Sequence, residues 1–345
     1  MDPEPGSPDP AHGAGPTAGA GPDPGRAVAG ARQRMSRRRR AIDIARYVLL
    51  VAVLGAVAYT LWRNWAAVSE QLGRLSWQAV LGSFLVGLLS PVFTMLGWRV
   101  LLADLGTRLP LPPAASVFLV GQLGKYVPGS VWSVVVQTEM GHRLHVPRRR
   151  RAVAGVIMLG LSVLGGAVVG VPAVPTLLAG HSDISPWWAV GGVVLALVAL
   201  WPPLINWFAA RALRLMRRAP LEHELSGGAV VRCMGWVVAA WVGSGVSVWV
   251  LARALAPDAG PGDLLYVCVC GYALASVLGM LAVLLPAGIG LRDAVLGIGL
   301  ATLMTPAAAA AVVVVARFLA VVVDVVVAGG AWLWARRHHL VGSEG

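Results

Sequence analysis

The sequence predicts an all-α polytopic membrane protein, and three observations carry that reading. Hydrophobic residues make up 57% of the chain and charged ones 13%, with a mean hydropathy of +0.73, a balance outside the range of soluble domains. Several apolar runs reach about 20 residues, enough to cross a hydrocarbon core about 30 Å thick as helix. Short clusters of arginine stand between those runs, as topology signals do.

Residues 1–41 are rich in Pro, Gly and Ala with few apolar side chains, so they cannot bury enough surface to fold. They are predicted to be a disordered basic cytoplasmic tail, ending in Arg37-Arg38-Arg39-Arg40 as a positive-inside anchor. A helical membrane domain is predicted over 42–335 and a short cytoplasmic tail over 336–345. Full spans are expected near 44–62, 78–98, 152–173, 186–208, 233–252 and 307–334. Two further apolar segments, 114–140 and 264–304, are broken by Pro and Gly, which makes about six full spans, two broken segments and roughly eight helices. Charge counting orients the set. Segments 1–41, 98–113, 141–151, 209–232 and 335–345 hold 21 of the 28 basic residues, whereas 63–77, 179–186 and 253–263 hold only Arg63, Arg74 and Arg253. Both termini are therefore expected on the cytoplasmic side of a cell membrane.

That orientation makes the stretch GQLGKYVPGSVW, residues 121–132, unusual. The basic segments on either side both belong to the cytoplasm, so 114–140 is predicted to enter and leave on one face, as half-helices broken at Pro128-Gly129. Proline removes a helix donor and disfavours helix at the residue before it, and glycine tolerates the turn. Segment 264–304 carries a comparable break at Pro286, Gly288 and Gly290 and must return to the outer face, either as two full helices or as a second re-entrant pair. Two broken segments of opposite orientation, in matching places of the two halves, fit inverted repeats with a binding site near mid-membrane.

A charged group at that depth needs a partner, water or the interface. Lys125, the only lysine in the chain, is either a cation for a lipid phosphate beside the freed backbone amides of the break, or a lysine reaching the cytoplasmic interface. Tyr126 lies beside it. Arg292 and Asp293 open a helix after the glycine-rich turn, where an acidic residue also suits the first-turn dipole. Arg317 and Asp324, seven residues apart in the last span, share a face at a separation of about 10.5 Å along the axis. Each is expected to pair with another helix, with Arg292 or Lys125 as partners for Asp324. The candidate substrate-binding set is Lys125, Tyr126, Pro128, Gly129, Pro286, Gly288, Gly290, Arg292 and Asp293, with Arg317 and Asp324 as intramembrane charges.

The motifs GKYVPGSVW at 124–132 and LPAGIGLRD at 285–293 resemble the flippase-like membrane region of the lysylphosphatidylglycerol synthase family, over roughly 44–335. The chain departs from the family pattern at Ser130, Ala287 and Asp293. About ten residues follow the last span, so the resemblance implies the lipid-handling half without the soluble aminoacyl-transferring one. It implies an integral protein of a bacterial inner membrane that translocates anionic lipids or lipid-linked precursors, or assists such translocation. The partners it implies are a phospholipid or lipid-linked sugar and enzymes of envelope synthesis. A membrane-embedded lipid-modifying transferase, of glycosyl or aminoacyl type, and a scaffold for a separate transferase are the alternatives.

Other classes find little support. The net charge of +12 is accounted for by topology, so nucleic acid is not an expected partner. Cys233, Cys268 and Cys270 lie in or beside apolar runs, without metal-ligand or disulfide spacing. No catalytic residue set, metal site or cofactor is expected.

Overall fold

Serine and proline set most of the helix starts. A computed structural model of the protein describes residues 62, 65–126, 148–175, 187–215, 224–282 and 290–337. The chain divides into two units, Met1–Val48 and Leu49–Gly345, and every described residue lies in the second. The predicted tail 1–41 and the first span up to residue 61 lie outside the described residues, as do most of the Pro128-Gly129 half of segment 114–140 and the Pro286 turn.

The helices are α1 (Trp65–Arg74), α2 (Trp77–Gly87), α3 (Leu89–Asp104), α4 (Leu111–Gly121), α5 (Arg148–Gly170), α6 (Trp187–Ala199), α7 (Pro202–Leu215), α8 (Gly227–Leu255), α9 (Pro261–Leu281), α10 (Leu291–Leu300) and α11 (Pro306–Arg337). Ser76 and Ser226 cap α2 and α8, each hydroxyl accepting from the amide three residues on, at 3.3 and 3.2 Å. Prolines occupy the first turns of α4, α7, α9 and α11, where a missing donor costs nothing. α4 tightens into a 3-10 turn over Gln122–Tyr126, directly before the predicted break. Among the described residues five stretches are long and apolar enough to span: Trp77–Asp104, Arg150–Ala173, Gly227–Leu255, Pro261–Leu281 and Pro306–Trp334.

Two expectations are corrected. Segment 186–208 is not one straight span but α6 and α7, bent by 66°. Pro202 and Pro203 donate no amide hydrogen, so the ladder cannot run through them, and Trp201 closes the end of α6 with a bond to Val198 O at 3.1 Å. Segment 264–304 is neither two full helices nor two halves. α9 is of full spanning length, whereas α10 has 10 residues and reaches about 15 Å, half a hydrocarbon core.

The buried core falls into two clusters at opposite ends of the bundle. The first gathers Trp98, Leu101, Leu102, Phe118, Leu161, Cys233 and Val237 from α3, α4, α5 and α8. The second gathers Val248, Leu251, Leu264, Cys268, Leu296, Leu300 and Val312 from α8, α9, α10 and α11. α8 runs through both as the spine. At the first end Asp104 accepts from Ser226 N at 2.7 Å and Ser226 Oγ at 2.8 Å, joining the end of α3 to the start of α8. Arg150 donates there to Gly106 O and Thr107 Oγ1. At the second end Tyr266 donates to Pro172 O at 2.6 Å, and Arg253 reaches the carbonyls of Ala256, Pro257 and Ala259. Connections that charge counting put on one face thus meet at one end. Large apolar side chains such as Trp188, Leu195, Phe318 and Val325 point outward, as a lipid solvent permits.

Asn206 ties α7 to the segment that leads into α8. Asn206 Nδ2 donates to Leu225 O and its Oδ1 accepts from Leu225 N, both at 3.0 Å. Asn206→Ala removes both bonds at a part-buried site, and the expected loss is about 1–3 kcal/mol. Thermal denaturation in detergent checks it; a melting temperature equal to wild type would show that Ile205 and the proline bend hold α7 by themselves.

Candidate functional site

Between the two clusters the bundle holds a partly open cavity of about 320 Å³. Its level follows from the helices that build it. On α8 the lining residues Ala240, Ser244 and Ser247 lie between Val237 of the first cluster and Val248 of the second. On α11 Arg317, Ala320 and Asp324 lie between Val312 of the second cluster and Val327, which packs on the first. The cavity is therefore at mid-depth.

One wall is hydroxylic. Ser83 and Ser247 meet at 3.0 Å, and Ser247 also donates to Ser83 O at 2.9 Å. Ser244 donates to Ser90 Oγ at 2.8 Å, and Thr94 donates to Ser90 O at the same distance. These contacts tie α2 and α3 to α8. Opposite them on α9, Ser276 lines the cavity with its hydroxyl buried and unpartnered. A buried hydroxyl without a partner costs about 1–3 kcal/mol, and one that lines a cavity is placed to meet a polar ligand.

The other walls carry charge: Lys125, Arg292 and Arg317 against Asp324. Lys125 Nζ lies 2.7 Å from Asp324 Oδ2, with the lysine side chain 38% exposed and the carboxylate 7%. The 3-10 turn that ends α4 delivers Lys125 to the flank of α11, which packs along α4. Arg292, from the first turn of α10, stands 5.4 Å over the Tyr272 ring, a cation-π distance. Its Nε is 3.5 Å from Asp293 Oδ1. Asp293 also caps α10 by accepting from Gly290 N at 3.3 Å. Gly290 has φ 88°, a left-handed value that glycine adopts without penalty.

Of the residues singled out from sequence, the structure brings Lys125, Arg292, Arg317 and Asp324 to one cavity. Gly290 and Asp293 shape the helix end that presents Arg292, while Tyr126 closes the 3-10 turn and is not among the lining residues. Pro128, Gly129, Pro286 and Gly288 lie outside the described residues. Sequence reasoning missed the serines and Tyr272. A signal was present, since Ser83 and Ser90, and Ser244 and Ser247, recur at helical spacing within apolar runs. Among the described residues no three His, Cys, Asp or Glu side chains gather as metal ligands.

Apolar helices around a charged, hydroxyl-lined cavity at mid-depth define a polytopic membrane protein. A family model for the lysylphosphatidylglycerol synthase TM region matches residues 44–328, and the chain belongs to that family. A search among curated proteins found no match.

Proposed function

We propose that the protein translocates an anionic lipid or lipid-linked precursor across the cell membrane, with both termini in the cytoplasm of a bacterial cell. The observation that carries this reading is the gathering of Lys125, Arg292, Arg317 and Asp324, among the described residues, around one cavity at mid-depth. A cation at that level is costly unless it has work there, and phosphate is the anion common to membrane lipids. The half-length helix α10 supports the reading, because its first turn holds Arg292 at the cavity as broken helices do in transporters. In this reading Lys125, Arg292 and Arg317 hold the phosphate, and the hydroxyl wall meets polar groups beyond it. The arginines of the first end, on segments 98–113, 141–151 and 209–232, face the cytoplasm.

The test is reconstitution of the purified protein into vesicles with a head-group accessibility assay for labelled phosphatidylglycerol. Redistribution above empty vesicles is the expected result, and its absence would overturn the reading. Arg317→Gln removes one charge-assisted contact, typically about 1.5–3 kcal/mol, so transport should fall about tenfold or more. An unchanged rate would take Arg317 out of the head-group site.

A further inference from the structure

α7 presents a face that the rest of the bundle leaves uncovered. Ile205 packs on the first cluster and Asn206 holds Leu225. At about 100° per residue the opposite side of the helix carries Pro203, Trp207, Phe208, Arg211 and Arg214, all of them exposed. That side is apolar at its start, where the Trp207 and Phe208 rings meet edge to face with centroids 4.8 Å apart, and basic at its end. Among the described residues neither Arg211 nor Arg214 has a hydrogen bond or ion pair. α7 contains no acidic residue, and Arg217 and Arg218 follow it in sequence. We propose that α7 docks on the anionic phospholipid head groups of the leaflet that meets the first end of the bundle, with Trp207 and Phe208 in the acyl boundary and Arg211 and Arg214 on the head groups. None of these side chains lines the cavity, so the surface serves its role whether or not the cavity carries lipid.

Geometry sets α7 across the end of the bundle rather than along it. α6 packs against the spanning stretch Arg150–Ala173, and α7 turns from α6 by 66°. Its 14 residues make about 21 Å of helix, which at that angle advance only about 9 Å along the line of α6. Amphipathic helices at a membrane surface occupy a layer of that thickness, about 5–10 Å at the boundary of head groups and acyl chains. The aromatic pair enters the layer first, at the level where indole rings are favoured. The arginines come one to two turns later, and their long stems carry the guanidinium groups into the head groups. Charge selects the occupant. A leaflet rich in anionic lipid attracts basic segments at its surface, and two exposed arginines on a helix without an acid favour such a leaflet over a zwitterionic one.

The experiment is hydrogen–deuterium exchange of the full chain, read by mass spectrometry, in nanodiscs that hold one copy and consist of phosphatidylcholine alone or of an equal mixture with phosphatidylglycerol. Exchange over 204–215 should be slower in the mixed discs, by about fivefold for each arginine and about twenty-fivefold for both. Exchange over Pro261–Leu281, a spanning stretch away from α7, should be the same in the two. Replacing both arginines, Arg211→Gln with Arg214→Gln, should abolish the difference, and salt at about 1 M, where the Debye length is about 3 Å, should shrink it. Trp207→Ala should speed exchange equally in both kinds of disc, because ring burial does not read lipid charge; an unchanged rate would overturn the placement of the rings. Equal exchange of 204–215 in the two discs overturns the docking, as does a difference that survives in the double variant. Slowing of Pro261–Leu281 alongside α7 would mean that the lipid tightens the whole bundle, and slowing that needs two copies per disc would mean that the face meets a second copy; either result overturns it too.

Discussion

Replacing Lys125 with methionine should destabilise the detergent-solubilised protein, and adding Asp324→Asn should recover most of the loss. The asymmetry of the pair predicts this order. Removing the lysine takes a cation 2.7 Å away from a carboxylate that is 7% exposed, and breaking a buried pair from one side typically costs about 3–5 kcal/mol. The lysine itself is 38% exposed, so part of its contribution is screened and the expected cost falls to about 1–3 kcal/mol. Neutralising Asp324 in the same molecule removes the other half of the pair. A double-mutant cycle of melting temperatures should therefore show a positive coupling of that size. If the losses of the two single variants simply add in the double variant, the contact holds nothing together, and the cavity charges are balanced by other groups.

How much of this was legible beforehand depends on the range of the physics involved. Local signals were present but not used by the hydropathy-based span limits: Ser76, Ser226 and the prolines at 202, 261 and 306 stand at helix starts by side-chain chemistry that acts within one turn. The α4 helix gives way to a 3-10 turn at Gln122, and the expected break at Pro128-Gly129 lies outside the described residues. The demand that intramembrane charges be paired was also legible, and it pointed from Asp324 towards Lys125 or Arg292. The choice between them was not, because it depends on how α4 and α11 lie against each other over about 200 residues of chain. The bend between α6 and α7 was misread although Pro202-Pro203 was in plain view, because hydropathy across 186–208 stays high on both sides of it. The serine wall was hidden for a different reason. A serine on a membrane helix is cheap when its hydroxyl is satisfied locally, so one serine carries no message. Only the pairing of α2 and α3 with α8 turns four of them into a surface.

Gly245→Ala should be among the most damaging single-methyl changes in the bundle, while Gly243→Ala on the same helix should be silent or stabilising. A Cβ at Gly245 would lie 2.4 Å from Val269 Cα, 2.9 Å from its Cγ2 and 3.0 Å from its Cβ, and the first of these is backbone that cannot rotate away. At Gly243 nothing lies within 4 Å. Both positions are inside α8, so the intrinsic helix gain of alanine over glycine, up to about 1 kcal/mol, applies equally to each. The difference between them isolates the contact, and overpacking of this kind costs about 1–3 kcal/mol or more. Val269 belongs to the π-helical turns of α9, Val267–Gly271, where the helix widens against α8. The opposite flank of α9 is equally tight, since a Cβ at Gly170 would lie 2.4 Å from Leu274 N. α9 is thus wedged between two glycines from α5 and α8, in the manner of close helix packing in membranes, where small residues admit a neighbouring backbone. Tyr272, between the two contacts of the wedge, and Ser276, just after it on α9, line the cavity. Gly245→Ala must therefore shift the cavity wall as well as loosen the bundle, and lipid redistribution should fall together with the melting temperature. If Gly245→Ala matches Gly243→Ala in both measurements, α9 is free to move away from α8, and the cavity does not depend on the wedge.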